Sequence, residues 1–82
     1  MKARVLVTPR KEVLDPQGVA VEHAIGQLGL TGVGGVRVGR VIEIDLPGVA
    51  GVSPDLQKSM VAICEDLLSN PVVESYELTW LD

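Results

Sequence analysis

The chain has 82 residues, enough for one domain, and 46% of them are hydrophobic. A net charge of −4 lacks the clustered basic surface that nucleic acid requires, and one Trp, one Tyr and no Phe give bases nothing to stack on. No apolar run approaches the roughly 20 residues that cross a bilayer, the start is too polar for a signal peptide, and Cys64 stands alone, so a single cytoplasmic domain over 1–82 without an internal disulfide is expected.

A domain of this size buries only about 60–65% of its unfolded surface. A mean hydropathy of +0.31 is more than such a domain hides by itself. The excess points to a protein–protein interface.

In chain order, residues 2–8, KARVLVT, alternate. Ala3, Val5 and Val7 share one face; Lys2, Arg4, Leu6 and Thr8 share the other. That predicts a strand closed by Pro9, with Leu6 an anomaly on the polar side. Asp15 is placed to cap a helix, and Pro16 suits its first position. The helix is expected over about 16–28, with Val21, Ala24, Ile25 and Leu28 as its apolar stripe and Gly29 at its C-terminal end. Gly18 and Gly26 each cost up to about 1 kcal/mol relative to Ala inside a helix. Either the helix is weakened without return, or a neighbour packs closely against that side.

The stretch GLTGVGGVRVG (29–39) is rich in glycine but is no phosphate loop. From Gly32 the dinucleotide pattern lacks its last glycine, no Gly-Lys-Ser/Thr ending follows, and the stretch leaves a helix where a phosphate site enters one. Beyond it, Val36, Val38, Ile42, Ile44 and Leu46 share one parity; Arg37, Gly39, Val41, Glu43 and Asp45 share the other. The unbroken parity predicts one long bent strand over about 35–46, with Gly39 at the bend; a tight hairpin turning at Gly39–Arg40 is the alternative. Such a long strand outruns a small sheet and leaves an overhang for a partner.

Ser53, Pro54 and Asp55 open a second helix, whose stripe is Leu56, Met60, Ile63, Cys64 and Leu67; Asn70–Pro71 stops it. The closing segment, VVESYELTWLD, predicts a strand with Val72, Tyr76, Leu78 and Trp80 on one face. The order is β-α-β-(β)-α-β. The fold class is therefore α+β: a small antiparallel sheet with two helices on one face, ferredoxin-like.

The residues assemble no active site. His23 falls about 160° from Ile25 on the first helix, toward solvent. Cys64 sits mid-helix on the core stripe, as a small buried hydrophobe does. One Cys and one His make zinc implausible. Glu43 and Asp45 beside Arg37 read as a solvated face with cross-strand ion pairs. Arg40 shares the apolar parity, where an unpaired charge is costly; it reaches a partner's carboxylate or snorkels at the edge. Arg37, Gly39, Arg40 and Val41 are the candidate assembly contacts, with no catalytic, cofactor-binding or metal-binding residue assigned.

The stretch LDPQGVAVEHAIGQLGLTGVGGVRVGRVIEI, together with ICEDLLSNPVVESYEL, resembles the PurS family of phosphoribosylformylglycinamidine (FGAM) synthase. The resemblance runs from Val5 to Leu78. Arg40 stands where the family often has Lys, and Val41 where an aromatic is common. The family resemblance implies a non-catalytic subunit in purine biosynthesis. It dimerises or forms a higher homo-oligomer and bridges the large synthase subunit (PurL) and the glutaminase (PurQ) for ammonia transfer. No cofactor is implied in this chain; ATP and Mg²⁺ serve the large subunit, and the ligase activity belongs to the complex. Two other classes stay open on the residues alone: a ligand-sensing dimeric module, and a small enzyme built on His23 or Cys64.

Overall fold

The computed structural model describes all 82 residues. Strand β1 spans Lys2–Pro9, helix α1 Pro16–Gln27, strand β2 Arg40–Asp45, helix α2 Pro54–Ile63 and strand β3 Glu74–Leu81; α2 runs on into a π-helical turn, Cys64–Leu68. The sheet is antiparallel with β1 at its centre, in the order β2-β1-β3. Three strands and two helices in this sequence give the expected α+β, ferredoxin-like outline.

Alternation in β1 decides where the core lies. Ala3, Val5 and Val7 are fully buried, flanked on the same face by Ile42 and Ile44 of β2 and by Tyr76, Leu78 and Trp80 of β3. Helix α2 covers this face with Met60 and Cys64. Its start is set by Ser53, whose Oγ accepts the Leu56 N–H at 3.1 Å. At its end, the Ser69 N–H bonds the Cys64 carbonyl five residues back, at 3.0 Å. The extra residue in this π turn advances the helix phase. Leu68 therefore packs on the core, while Leu67 is turned out at 76% exposure. The expected stripe holds for Met60 and Cys64 and fails at Leu67, because it assumed an α-helical period throughout; Ile63, ahead of the π turn, is 38% exposed.

Helix α1 begins and ends as its sequence dictates. Asp15 Oδ1 accepts the Gly18 N–H at 3.1 Å. Gly29, at φ +100°, closes the helix: its N–H bonds Gly26 O at 3.1 Å, and the Leu30 N–H bonds Ile25 O at 3.3 Å. Gly18 is the one buried residue of α1, because Val36 O occupies the space a Cβ would need. A close neighbour thus explains Gly18; around Gly26 there is open space. The apolar stripe of α1 has no sheet beneath it: Val21 and Leu28 are 41% and 88% exposed.

The strand expected over 35–46 is a strand only over Arg40–Asp45. It is not a hairpin either, since β2 pairs with β1 alone. Two local causes stop the ladder. In the register that pairs Val7 with Arg40, Pro9 would next face Val38, and Pro9 has no N–H to give. The Val38 N–H is already taken by Asp15 Oδ2, at 2.8 Å. Gly39 is required not for a bend but for a close approach, since a Cβ there would run into Val7 O and Thr8.

Only six of the 82 residues are buried. The radius of gyration is 16.3 Å and the extents are 48 × 26 × 15 Å, against roughly 12 Å expected for a compact chain of this length. Residues 28–39 and α1 extend the molecule away from a core too small for it.

Candidate functional site

Hydrogen-bond phase places the open groups of each sheet edge. Leu46 donates to Met1 O at 2.8 Å, which continues the β1–β2 register and fixes its alternation. Even-numbered residues of β2 therefore face β1. The N–H and C=O of Val41, Glu43 and Asp45 point outward, and Arg37 and Gly39 continue that series with backbone N–H groups that no group of this chain accepts. Burial keeps the same rhythm beyond the strand: Val36, Val38, Ile42, Ile44 and Leu46 are half-buried, and the odd positions between them are exposed.

The four candidate residues thus divide. Arg37, Gly39 and Val41 lie along one open edge. Arg37 donates to Pro9 O at 3.2 Å rather than joining Glu43, and Val41 is 58% exposed. Arg40 differs from them in having a carboxylate partner within its own chain. Its guanidinium crosses the end of β1 to Glu74, with Nη1–Oε2 at 2.7 Å and Nη2–Oε1 at 3.2 Å, and Nη2 also donates to Leu68 O at 2.6 Å. Glu74 Oε1 further accepts the Asn70 N–H at 2.8 Å. The Arg40 guanidinium holds the Glu74 carboxyl below the usual glutamate range, and the Asn70 N–H adds to this. One side chain thereby ties β2, β3 and the last turn of the helix together over the open end of the core. The sequence carried a signal for this pair: Arg40 and Glu74 are opposite charges, each stranded on the apolar parity of its strand.

The outer face of the sheet is charged, as expected. Lys2 lies 3.7 Å from Glu43 and 3.8 Å from Asp45, and Arg4 is 2.7 Å from Glu43. The Arg4 hydrogen bond, then the Lys2 charge, lower the Glu43 pKa. Leu6 is paired directly with Val41 there, which gives this polar face a small apolar centre.

His23 is exposed, beside Gln27 at 3.3 Å. Cys64 is fully buried, and that burial pushes its thiol pKa up, away from a nucleophile's. No group of three or more His, Cys, Asp or Glu side chains is placed to hold a metal ion. An open groove of about 560 Å³ lies between α1 and residues 34–37, and its lining mixes Lys11 and Arg37 with Asp15, Glu22 and Leu14. No helix is long and apolar enough to cross a membrane.

Open strand edges, an uncovered helix stripe and a five-residue core define an interaction module. Residues 2–82 match the family described as PurS, phosphoribosylformylglycinamidine (FGAM) synthase, and the chain belongs to that family. It is 43% identical to FGAM synthase subunit PurS of Synechocystis, covering 96% of this chain and 79% of that one. It is 40% identical to the Mycobacterium leprae subunit, covering 95% and 92%. Among solved structures, Bacillus subtilis PurS superposes with a TM-score of 0.77 at 36% identity, covering 95% and 94%. A chain of PurLQS from Thermotoga maritima does so with 0.78 at 33% identity, covering 98% and 95%. As a PurS chain it is a subunit of FGAM synthase, in purine biosynthesis.

Proposed function

We propose that this chain is the non-catalytic assembly subunit of FGAM synthase, a cytoplasmic homodimer or higher homo-oligomer. In this reading it bridges the glutaminase (PurQ) and the large ATP- and Mg²⁺-dependent subunit (PurL), so that ammonia passes between them. The observation that carries the reading is the unfinished core: five buried residues, with the α1 stripe uncovered. The PurLQS neighbour supports such partners.

The open edge of β2 supports a second copy as its occupant. A two-fold axis at Val41 sets Arg37 opposite Asp45, Val38 opposite Ile44 and Val36 opposite Leu46. Opposite charges and apolar pairs then match at these three positions, and the outward N–H groups of Arg37, Gly39 and Val41 gain acceptors. The segment expected as a strand over 35–46 becomes one when its copy is present. Arg37, Gly39 and Val41 are its contacts; Arg40 serves the fold of its own chain.

Reconstitution tests the function. The large subunit and glutaminase are assayed with glutamine or with ammonia as nitrogen source. Glutamine-dependent synthesis is expected only when this chain is added, while ammonia-dependent synthesis persists without it. Full glutamine-dependent turnover in its absence refutes the bridging role.

A further inference from the structure

We propose that the outer edge of β3 receives an extended strand from a different polypeptide of the assembly, one that places a lysine or arginine against Glu77. The inference rests on the reading of this chain as an assembly subunit. It concerns the edge opposite the one assigned to the second copy, since the sheet order is β2-β1-β3.

Hydrogen-bond phase again locates the free groups. Arg10 donates to Val73 O at 2.9 Å, in line with the β1–β3 register, so the odd-numbered residues of β3 face β1. Glu74 has its N–H satisfied by Asn70 O, at 2.7 Å. That leaves the N–H and C=O groups of Tyr76, Leu78 and Trp80 in a row along the edge. Apart from Glu74 and Glu77, the edge carries little defence. β3 is eight residues long, its register with β1 runs without a bulge, and it contains no Pro, Lys or Arg, which are the devices that keep exposed edges from pairing.

Charge decides between occupants. Residues 74–82 carry Glu74, Glu77 and Asp82 and no basic residue. Glu74 is neutralised by Arg40, whereas Glu77 is exposed and in no ion pair. A second β3 would bring acid toward acid and no base in any register. The β2 edge, by contrast, sets Arg37 against Asp45 when paired with itself. The β3 edge therefore fits a foreign strand of basic character, added by backbone hydrogen bonds and selected by its charge.

Hydrogen exchange of this chain, isotope-labelled, is read free and within the complex formed with the purified large subunit and glutaminase. The amides of Tyr76, Leu78 and Trp80 are expected to exchange rapidly in the free homo-oligomer and about 100-fold or more slowly in the complex. Glu77→Lys, at an exposed site without an ion pair, is expected to leave the homo-oligomer intact and to weaken its binding to the two subunits about fivefold or more. If the complex forms and these amides stay fast, the proposal fails while the assembly reading stands. If they are already slow in the free protein, in proportion to its own concentration, the edge belongs to a second copy and the proposal is overturned. If no complex forms, both readings fall.

Discussion

Replacing Arg40 with alanine tests whether this residue serves its own fold or a partner. In the structure the side chain makes three hydrogen bonds, two to Glu74 and one to Leu68 O. Arg40 is half-exposed while Glu74 is only 17% exposed. An exposed ion pair contributes about 0–1 kcal/mol and breaking a buried one costs about 3–5 kcal/mol; this pair lies between those limits. Arg40→Ala is expected to cost about 2 kcal/mol, which for a domain this small is roughly 8–16 °C in Tm. Arg40→Lys keeps a charge but cannot form the two-pronged contact, and is expected to recover about half. Chemical denaturation at fixed protein concentration gives these values, and a double-mutant cycle with Glu74→Gln isolates the pair. A coupling of about 1–2 kcal/mol is expected. A loss below about 0.5 kcal/mol, or a dissociation constant of the homo-oligomer that shifts while protomer stability does not, would refute the reasoning and move Arg40 to the interface.

Arg37→Asp is expected to weaken self-association at least about tenfold in sedimentation, and Arg37→Asp combined with Asp45→Arg to restore it; failure of the rescue removes the two-fold axis at Val41. Gly39→Ala drives a Cβ into Val7 O and Thr8, and is expected to destabilise by about 2 kcal/mol or more through overpacking. Gly26→Ala meets only open space in this chain and gains about 1 kcal/mol of helix propensity. A loss instead of a gain in thermal unfolding would place another chain against α1. Glu74 and Glu43 have lowered pKa values, Glu74 through Arg40 and Glu43 through Arg4. Their stabilisation is complete above the ordinary glutamate value of about 4.3 and drains away as pH falls through the lowered values. Denaturant midpoints are expected to hold between pH 5 and pH 7 and to drop below about pH 4, less so in Glu74→Gln.

Sequence alone determined whatever depends on near neighbours in the chain. The alternation of β1 named Ala3, Val5 and Val7 as core, and Asp15 and Ser53 announced helix starts. Gly29 announced a helix end, because a cap is a contact among residues three to six apart. The parity of 36–46 was legible too, as was the assembly role, through the family resemblance. Tertiary structure decided the rest. Whether 35–39 forms a strand depends on what lies beside it: Pro9 offers no donor and Asp15 removes the one from Val38. Leu68 rather than Leu67 faces the core because a π turn, invisible in the hydrophobic pattern, inserts one residue. Arg40 finds Glu74, 34 residues away in sequence, only because the antiparallel register brings the ends of β2 and β3 together around β1. Each of these outcomes is set by groups far apart in the chain, and a local pattern carries no record of such distances.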